Sequence, residues 1–489
     1  MNILILLVIL VFTYFLFRNS SRISKINSKI PGPIGLPILG HCMFMGGDLH
    51  LQFQKWFKKY GNVFRIRVGI YETVVITGYP TLRKAFIENS EIFEKRWQPN
   101  SRTLLNKCEE VVWENGERHK ILKRIVLSEM TTVRIKRMED HIVQECKKLI
   151  KLFDDHAEDG KPFEINNYLH MFSLNIILRF LFGVDYPYDK VSHSEGIIKA
   201  ISDFLVVAGN PLIYDFVPIF TKKESKDIKH PYFVTFNRLI TETDNLIKKY
   251  QRDNEANLDS KENGNIITGL LKEYEKGSIT WGNVVNTSID MIVAGSDTSA
   301  NTVIFGLISL SNHPEIQTKL HKSIVSTVSP NEDVITHSKY SQILPYLSMV
   351  MKETFRKFPS TLLGISHETT QDIEIEGHKI AAGTQIFQNI YSSHRSEEFF
   401  PKPDEFIPER FNEGSNLYYG SQTNLLHFGC GVRDCSGKSL ATCEIFTILA
   451  TLANRYEFIN PNPNTPLIDY GTFGLTYQTP STHLIIKKR

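Results

Sequence analysis

One run of residues near the C-terminus, Phe428-Gly429-Cys430-Gly431-Val432-Arg433-Asp434-Cys435-Ser436-Gly437, has the types and spacing to offer a single thiolate to a metal. Its glycines let the backbone turn tightly beneath a flat ligand and leave N–H groups free to donate to a sulfur. Cys435 precedes a helix-compatible run from Lys438 to Leu452 and follows Arg433 by two positions. The helix dipole and the cation are both expected to favour its thiolate. Cys430 and Cys443 lack this context and read as buried structural thiols.

Two further constellations carry chemistry. Ala294-Gly295-Ser296-Asp297-Thr298 interrupts a long apolar run. The glycine loosens a helix there, and the Thr298 hydroxyl can bond the Ala294 carbonyl, opening a groove for oxygen and water. Taken alone, a buried helix with a polar interruption explains these residues about equally well. Glu353 and Arg356 stand one helical turn apart on one face, and Phe406-Ile407-Pro408-Glu409-Arg410-Phe411 supplies a second guanidinium, Arg410. An isolated pair of this kind is usually solvated, whereas a carboxylate held between two guanidiniums tolerates burial.

The cysteine loop fits F-x-x-G-x-R-x-C-x-G at every specified position. Residues 294–298 fit A/G-G-x-D/E-T, residues 353–356 fit E-x-x-R, and residues 406–411 fit F-x-P-E-R-F. With these motifs, in this order, the chain resembles the cytochrome P-450 family over essentially its whole length. The resemblance implies a mainly α fold with a small β-rich lobe. It also implies haem b with Cys435 as axial sulfur, flanked by Phe428 and Arg433. The implied reaction inserts one atom of O₂ into an apolar organic substrate, with electrons from NADPH through a diflavin reductase partner. In that scheme Cys435 pushes electron density onto iron, Asp297 and Thr298 relay protons, and Glu353, Arg356 and Arg410 hold the core together.

Departures from the family pattern fall where propionates are gripped. After Asn115-Gly116-Glu117 the family's tryptophan is His119 and its arginine Lys123, and a later arginine is replaced by His367, five residues before Asp372. All three can still donate a hydrogen bond, although lysine and arginine differ at a bidentate site. By family position, Gln98–Val112, Ile289–Ala294, Leu362–Ile365 and Thr472–Tyr477 face the substrate. They are mainly apolar. Two other readings are a haem-thiolate isomerase or dehydratase, against which the intact Asp297-Thr298 pair argues, and a non-catalytic haem-binding protein.

These groups need a scaffold. Thr280 is a plausible N-cap for a helix whose apolar positions continue to Leu310 before Asn312-His313-Pro314 stops it, which would make it about 48 Å long at the usual rise. Leu347, Val350, Met351, Phe355 and Phe358 mark a second helix ending near Pro359. Val63–Val68 and Thr73–Thr77 read as a hairpin around Gly69–Glu72, and Asp372–Glu376 with Gln385–Gln388 as another. Arg252–Asn265 reads as a surface loop.

Bulk properties fit one catalytic domain. Of 489 residues 42% are hydrophobic and 22% charged, as in an ordinary globule, and a formal net charge of +3 gives no support for a nucleic-acid partner. The six cysteines lack paired spacing, so a reducing compartment is expected. Ile3–Phe17 is an apolar run followed by Arg18, Arg22, Lys25 and Lys29. Without a basic segment before it or a small-residue cleavage site after it, the run reads as an uncleaved anchor rather than a removed signal. The basic residues predict that the side after it stays cytoplasmic. Residues 1–17 are thus expected to anchor the chain in membrane lipid, 18–37 to form a basic, proline-rich hinge, and 38–489 to form the haem-binding domain. The resemblance implies the endoplasmic reticulum membrane.

Overall fold

The computed structural model describes residues 21–36, 39–44, 48–188, 196–209, 212–216, 228–254, 265–414 and 425–489. The expected anchor and most of the 252–265 loop lie outside the described residues. The helices that concern the site are α1 (Arg22–Asn27), α2 (Gly116–Glu129), α3 (Thr132–Asp159), α4 (Asn166–Phe182), α5 (Gly196–Ala208), α6 (Pro231–Asp253), α7 (Trp281–Asn312), α8 (Pro345–Lys357) and α9 (Lys438–Arg455). The strands are β1 (Val63–Val68), β2 (Tyr71–Ile76), β3 (Phe163–Glu164), β4 (His367–Glu368), β5 (Ile373–Ile375), β6 (His378–Ile380), β7 (Gln385–Gln388), β8 (Tyr456–Ile459), β9 (Thr472–Phe473), β10 (Tyr477–Gln478) and β11 (His483–Lys488). Long helices around short sheets make this a mainly α fold with a β-rich lobe.

Helix α7 starts where the sequence places it. Thr280 accepts from Asn283 N at 3.0 Å while the Asn283 side chain accepts from Thr280 N at 2.9 Å, a reciprocal cap that satisfies two donors at the helix start. Apolar residues lie all round this helix, so it runs through the core, with Val284, Ile292, Ile304 and Leu307 wholly buried. It packs along α4, and Gly295 permits the approach. A Cβ at position 295 would sit 2.8 Å from Ile177 Cγ1.

The main sheet has the order β1-β2-β7-β4. The first expected hairpin forms between β1 and β2, with Val63 opposite Ile76. The second does not. Ile373–Ile375 pairs with His378–Ile380, while Gln385–Gln388 runs parallel to β2. The turn chemistry explains this correction, since Glu376 and Gly377 both have positive φ, 50° and 75°, and close a two-residue turn that leaves β7 free for the main sheet.

The segment expected as a hinge is partly folded. Asn27 in α1 is fully buried, donates to Thr384 Oγ1 at 2.8 Å and accepts from Ala381 N at 3.0 Å. Arg65 N donates to Pro31 O at 2.9 Å. The docked unit therefore begins by Ser21, ahead of the boundary expected at residue 38.

Candidate active site

The loop before α9 is shaped by close approach. Gly431 has φ 80°, and a Cβ there would lie 2.0 Å from Phe86 O, so only glycine lets the loop pass so near. Cys435 N donates to Phe428 O at 2.9 Å, which closes the loop below the sulfur. The sulfur opens into an internal cavity of about 330 Å³. Burial pushes the free thiol's pKa up, against a backbone N–H from Gly437 that favours the thiolate.

The cations that favour the thiolate are Lys438 and Lys123 rather than the expected Arg433. Its guanidinium turns away, donating to Glu94 O at 2.9 Å, Glu114 O at 2.8 Å and Asn115 Oδ1 at 3.1 Å. Deprotonation of Cys435 would then come from a bound metal, which removes a coordinating thiol's proton outright. No group of three or more histidine, cysteine or acidic side chains among the described residues could hold a metal ion. One sulfur therefore suits a metal that brings its other ligands with it.

At one end of the same cavity stand Arg96, His119, Lys123 and Arg433. Burial and the Arg433 charge push Arg96 down to about 9, burial pushes Arg433 down to about 10, and burial with Arg433, Lys123 and Arg96 pushes His119 down to about 3. The Arg96 and His119 shifts report neighbouring cations as well as burial, whereas that of Arg433 reports burial alone. Arg96 Nε and Arg433 Nη1 are buried and meet no acceptor among the described residues. Two carboxylates would relieve both the crowding and the orphaned donors, so these residues fit a haem with its propionates.

His367 does not join that wall. Its ring is fully buried behind Arg96, with Nδ1 donating to Phe93 O at 2.5 Å. That bond fixes the tautomer, so Nε2 accepts, from Arg96 Nη1 and from Gln388 Nε2 at 3.1 Å. His367 thus positions Arg96 rather than donating to a carboxylate. Sequence reading missed Arg96 because it meets His367 across 271 positions, through one side-chain contact and a single β-bridge. Lys123 lines the cavity while its Nζ donates to Val432 O at 2.5 Å.

On α7, Thr298 lines the cavity and donates to Ala294 O at 2.7 Å, as its spacing suggested. Its lone pairs are left for the cavity. Asp297 faces the other way, wholly buried, with Oδ2 accepting from Thr476 Oγ1 and from Gln478 Nε2 at 2.7 Å. Thr476 lines the cavity, so Asp297 reaches it through that hydroxyl. Glu444 on α9 was also missed. It lines the cavity and accepts from Ser173, and burial pushes its carboxyl up to about 8. Phe428 lines the cavity as well and packs on Phe355 with ring centroids 5.7 Å apart.

The expected clamp is assembled. Arg356 holds Glu353 with Nε and Nη2 at 2.8 and 2.9 Å, and Arg410 Nε reaches Glu353 Oε1 at 3.1 Å. All three are fully buried. The remaining guanidinium donors go to the carbonyls of His394, Pro401, Lys402, Pro403 and Glu405, which makes the burial tolerable. This clamp ties α8 to the stretch leading into the cysteine loop.

Comparison with known proteins agrees with this geometry. The family model for Cytochrome P450 matches residues 30–486. "Probable cytochrome P450 513A3" of Dictyostelium discoideum is 51% identical over 99% of both chains. "Probable cytochrome P450 513E1" and "Probable cytochrome P450 513A1" of the same organism are 49% and 47% identical over the full length of both chains. A thiol loop and a long central helix that line one cavity, with a buried Glu-Arg-Arg clamp behind the loop, thus belong to a chain of the cytochrome P450 family, the haem-thiolate monooxygenases.

Proposed function

We propose that this chain is a membrane-anchored monooxygenase of apolar substrates in which Cys435 would supply the sulfur that holds a haem iron and electrons would come from an NADPH-dependent diflavin reductase. One observation carries the reading. Cys435, Thr298 and a wall of the cations Arg96, Lys123 and Arg433 with the neutral His119 open into one cavity whose lining is otherwise mostly apolar.

Haem bound there supplies activation of O₂ and insertion of one oxygen atom into a C–H bond. Cys435 gives the sulfur, and the Gly437 N–H holds its charge in place. Arg96, Arg433, His119 and Lys123 would hold the propionates, with His367 holding Arg96 in orientation. The Thr298 hydroxyl oxygen, its proton engaged at Ala294, accepts from water in the groove. Asp297 supplies protons to the cavity through the Thr476 hydroxyl rather than directly. Val111, Val126, Ile177, Val293 and Leu475 exclude bulk water and hold an apolar substrate by burial.

The endoplasmic reticulum membrane, with the catalytic domain facing the cytoplasm, is the location that fits an apolar residue 3–17 run ahead of basic residues. Ile34, Met43 and Phe44 remain exposed just after it, at 97, 70 and 48%, and suit a surface resting on lipid. On the cysteine side, Val432 is 46% exposed only three residues from Cys435, which leaves a short path from a docked reductase to the sulfur.

The reading is tested by incubating the full chain with a diflavin reductase, NADPH and a cell lipid extract. Products heavier by one oxygen atom are expected, and Thr298→Ala should lower product per NADPH while raising hydrogen peroxide. A relay group of this kind is worth about 10² to 10⁴ in rate. Haem-loaded protein that consumes no NADPH with any fraction of the extract would contradict it.

A further inference from the structure

The wall of the same cavity holds a charged group that the monooxygenase reading does not use. Arg102, in a short helix spanning Asn100–Asn106, is only 6% exposed, yet it forms part of the cavity wall. Its guanidinium packs 4.7 Å from the ring centre of Phe236 and 5.7 Å from that of Phe204, which bring α6 and α5 over it. Among the described residues its one ion pair is with Glu110, Nη1 to Oε1 at 3.5 Å. Among the described residues no atom accepts a hydrogen bond from the guanidinium. A guanidinium carries five donors in a rigid fork, and those of Arg102 are not sealed in the protein but stay open to the cavity it lines.

Charge, by contrast, is already supplied. Arg102 faces both Glu110 and Asp290, and Asp290 stands in the cavity wall with Oδ2 accepting from Val112 N at 3.0 Å. Burial pushes the Glu110 and Asp290 carboxyls up, to about 8 and about 7, so near neutrality the two hold about one proton between them and the one negative charge that remains matches the guanidinium. A second anion brought beside these carboxyls would meet repulsion. An uncharged oxygen would meet only waiting donors.

We infer that Arg102 is a specificity-determining residue that anchors the uncharged oxygen of an otherwise apolar substrate, a hydroxyl or carbonyl on a hydrocarbon skeleton. A hydroxyl fits both partners, since its oxygen accepts from Arg102 while its hydrogen can go to Asp290. Anchoring one end fixes which carbon is presented to the reactive centre, so Arg102 sets regiochemistry as well as affinity. This inference rests on the monooxygenase reading for the identity of the cavity, but its test needs neither reductase nor turnover.

The test is equilibrium dialysis of haem-loaded full-length protein against matched probes: cycloalkanes of eight to fifteen carbons, their alcohols and ketones, and the corresponding ring carboxylates. Wild-type protein should bind alcohols and ketones of some ring size more tightly than carboxylates of that size. In Arg102→Met, alcohol and ketone affinity should fall about tenfold to a hundredfold, the loss of one hydrogen bond to a charged group, while cycloalkane affinity stays within about twofold. Arg102→Lys should recover part of the loss, because lysine restores a donor without the fork. Retained haem content in both variants shows that the fold is intact. Equal loss for alcohols and cycloalkanes would make Arg102 merely structural, and tighter wild-type binding of carboxylates would assign the site to anions. No alcohol or ketone binding at any ring size would also overturn the inference. Failure to oxygenate substrate alongside the expected dialysis result would instead strike the monooxygenase reading alone.

Discussion

At the scale of single residues, the arrangement around Arg96 shows how a substitution in one place is absorbed in another. Where the family pattern has an arginine, this chain has His367, and a neutral histidine adds no charge to the wall. It accepts from Arg96 instead, so the charge is carried by Arg96 and Arg433 and the histidine fixes its direction. Replacing Arg96 by methionine should weaken haem binding by about tenfold to a hundredfold, the loss of one charge-assisted bond. His367→Ala should have a smaller effect of the same sign, because the charge stays and only its orientation is lost. Transfer of haem to apomyoglobin measures both. If Arg96→Met releases haem no faster than wild type, the cationic wall does not hold the propionates.

At the scale of elements, α7 and α9 bring together groups that titrate in unusual ranges. Glu444 on α9 keeps its proton to about 8, against an ordinary 4.5. Between those values the folded chain holds a proton that the unfolded chain has lost, so this group's contribution to stability falls as pH rises from about 4.5 to about 8. Glu444→Gln should therefore narrow the difference in melting temperature between pH 5.5 and pH 8, and an unchanged difference would mean that Glu444 is ionised in the fold. Elements with strong local signals were legible in the sequence. The Thr280 cap, the apolar course of α7, the β1–β2 hairpin and the glycines of the cysteine loop are all local. Non-local pairings were not legible: β7 beside β2, Arg96 against His367, and Arg102 against Asp290. Each of these joins segments that lie far apart in the chain, and one sequence alone does not show which distant segments meet. The turn of Asp297 away from the cavity was also hidden, because its position on α7 does not reveal that Thr476 and Gln478 hold it from the far side.

At the scale of the whole molecule, the folded unit starts earlier than the prolines suggest, and this changes how the N-terminus should be cut. Removing residues 1–20 should release most of the protein from membranes and leave its haem spectrum intact. Removing residues 1–28 also deletes α1, with the two buried hydrogen bonds of Asn27, and should lower stability by about 1 to 3 kcal/mol. Equal stability of the two truncations would show that α1 is not part of the folded unit. Among the described residues α7 alone is long and apolar enough to cross a membrane, and most of it is buried in the globule. Attachment to lipid is therefore expected to depend on the segment before Ser21. The claim on which the rest depends is that Cys435 is the iron ligand, and the visible spectrum of the reduced protein with carbon monoxide tests it most directly. Wild type and Cys430→Ala should both show the strongly red-shifted Soret band of thiolate ligation, and Cys435→Ala should lose it. A red-shifted band that survives in Cys435→Ala would contradict the assignment.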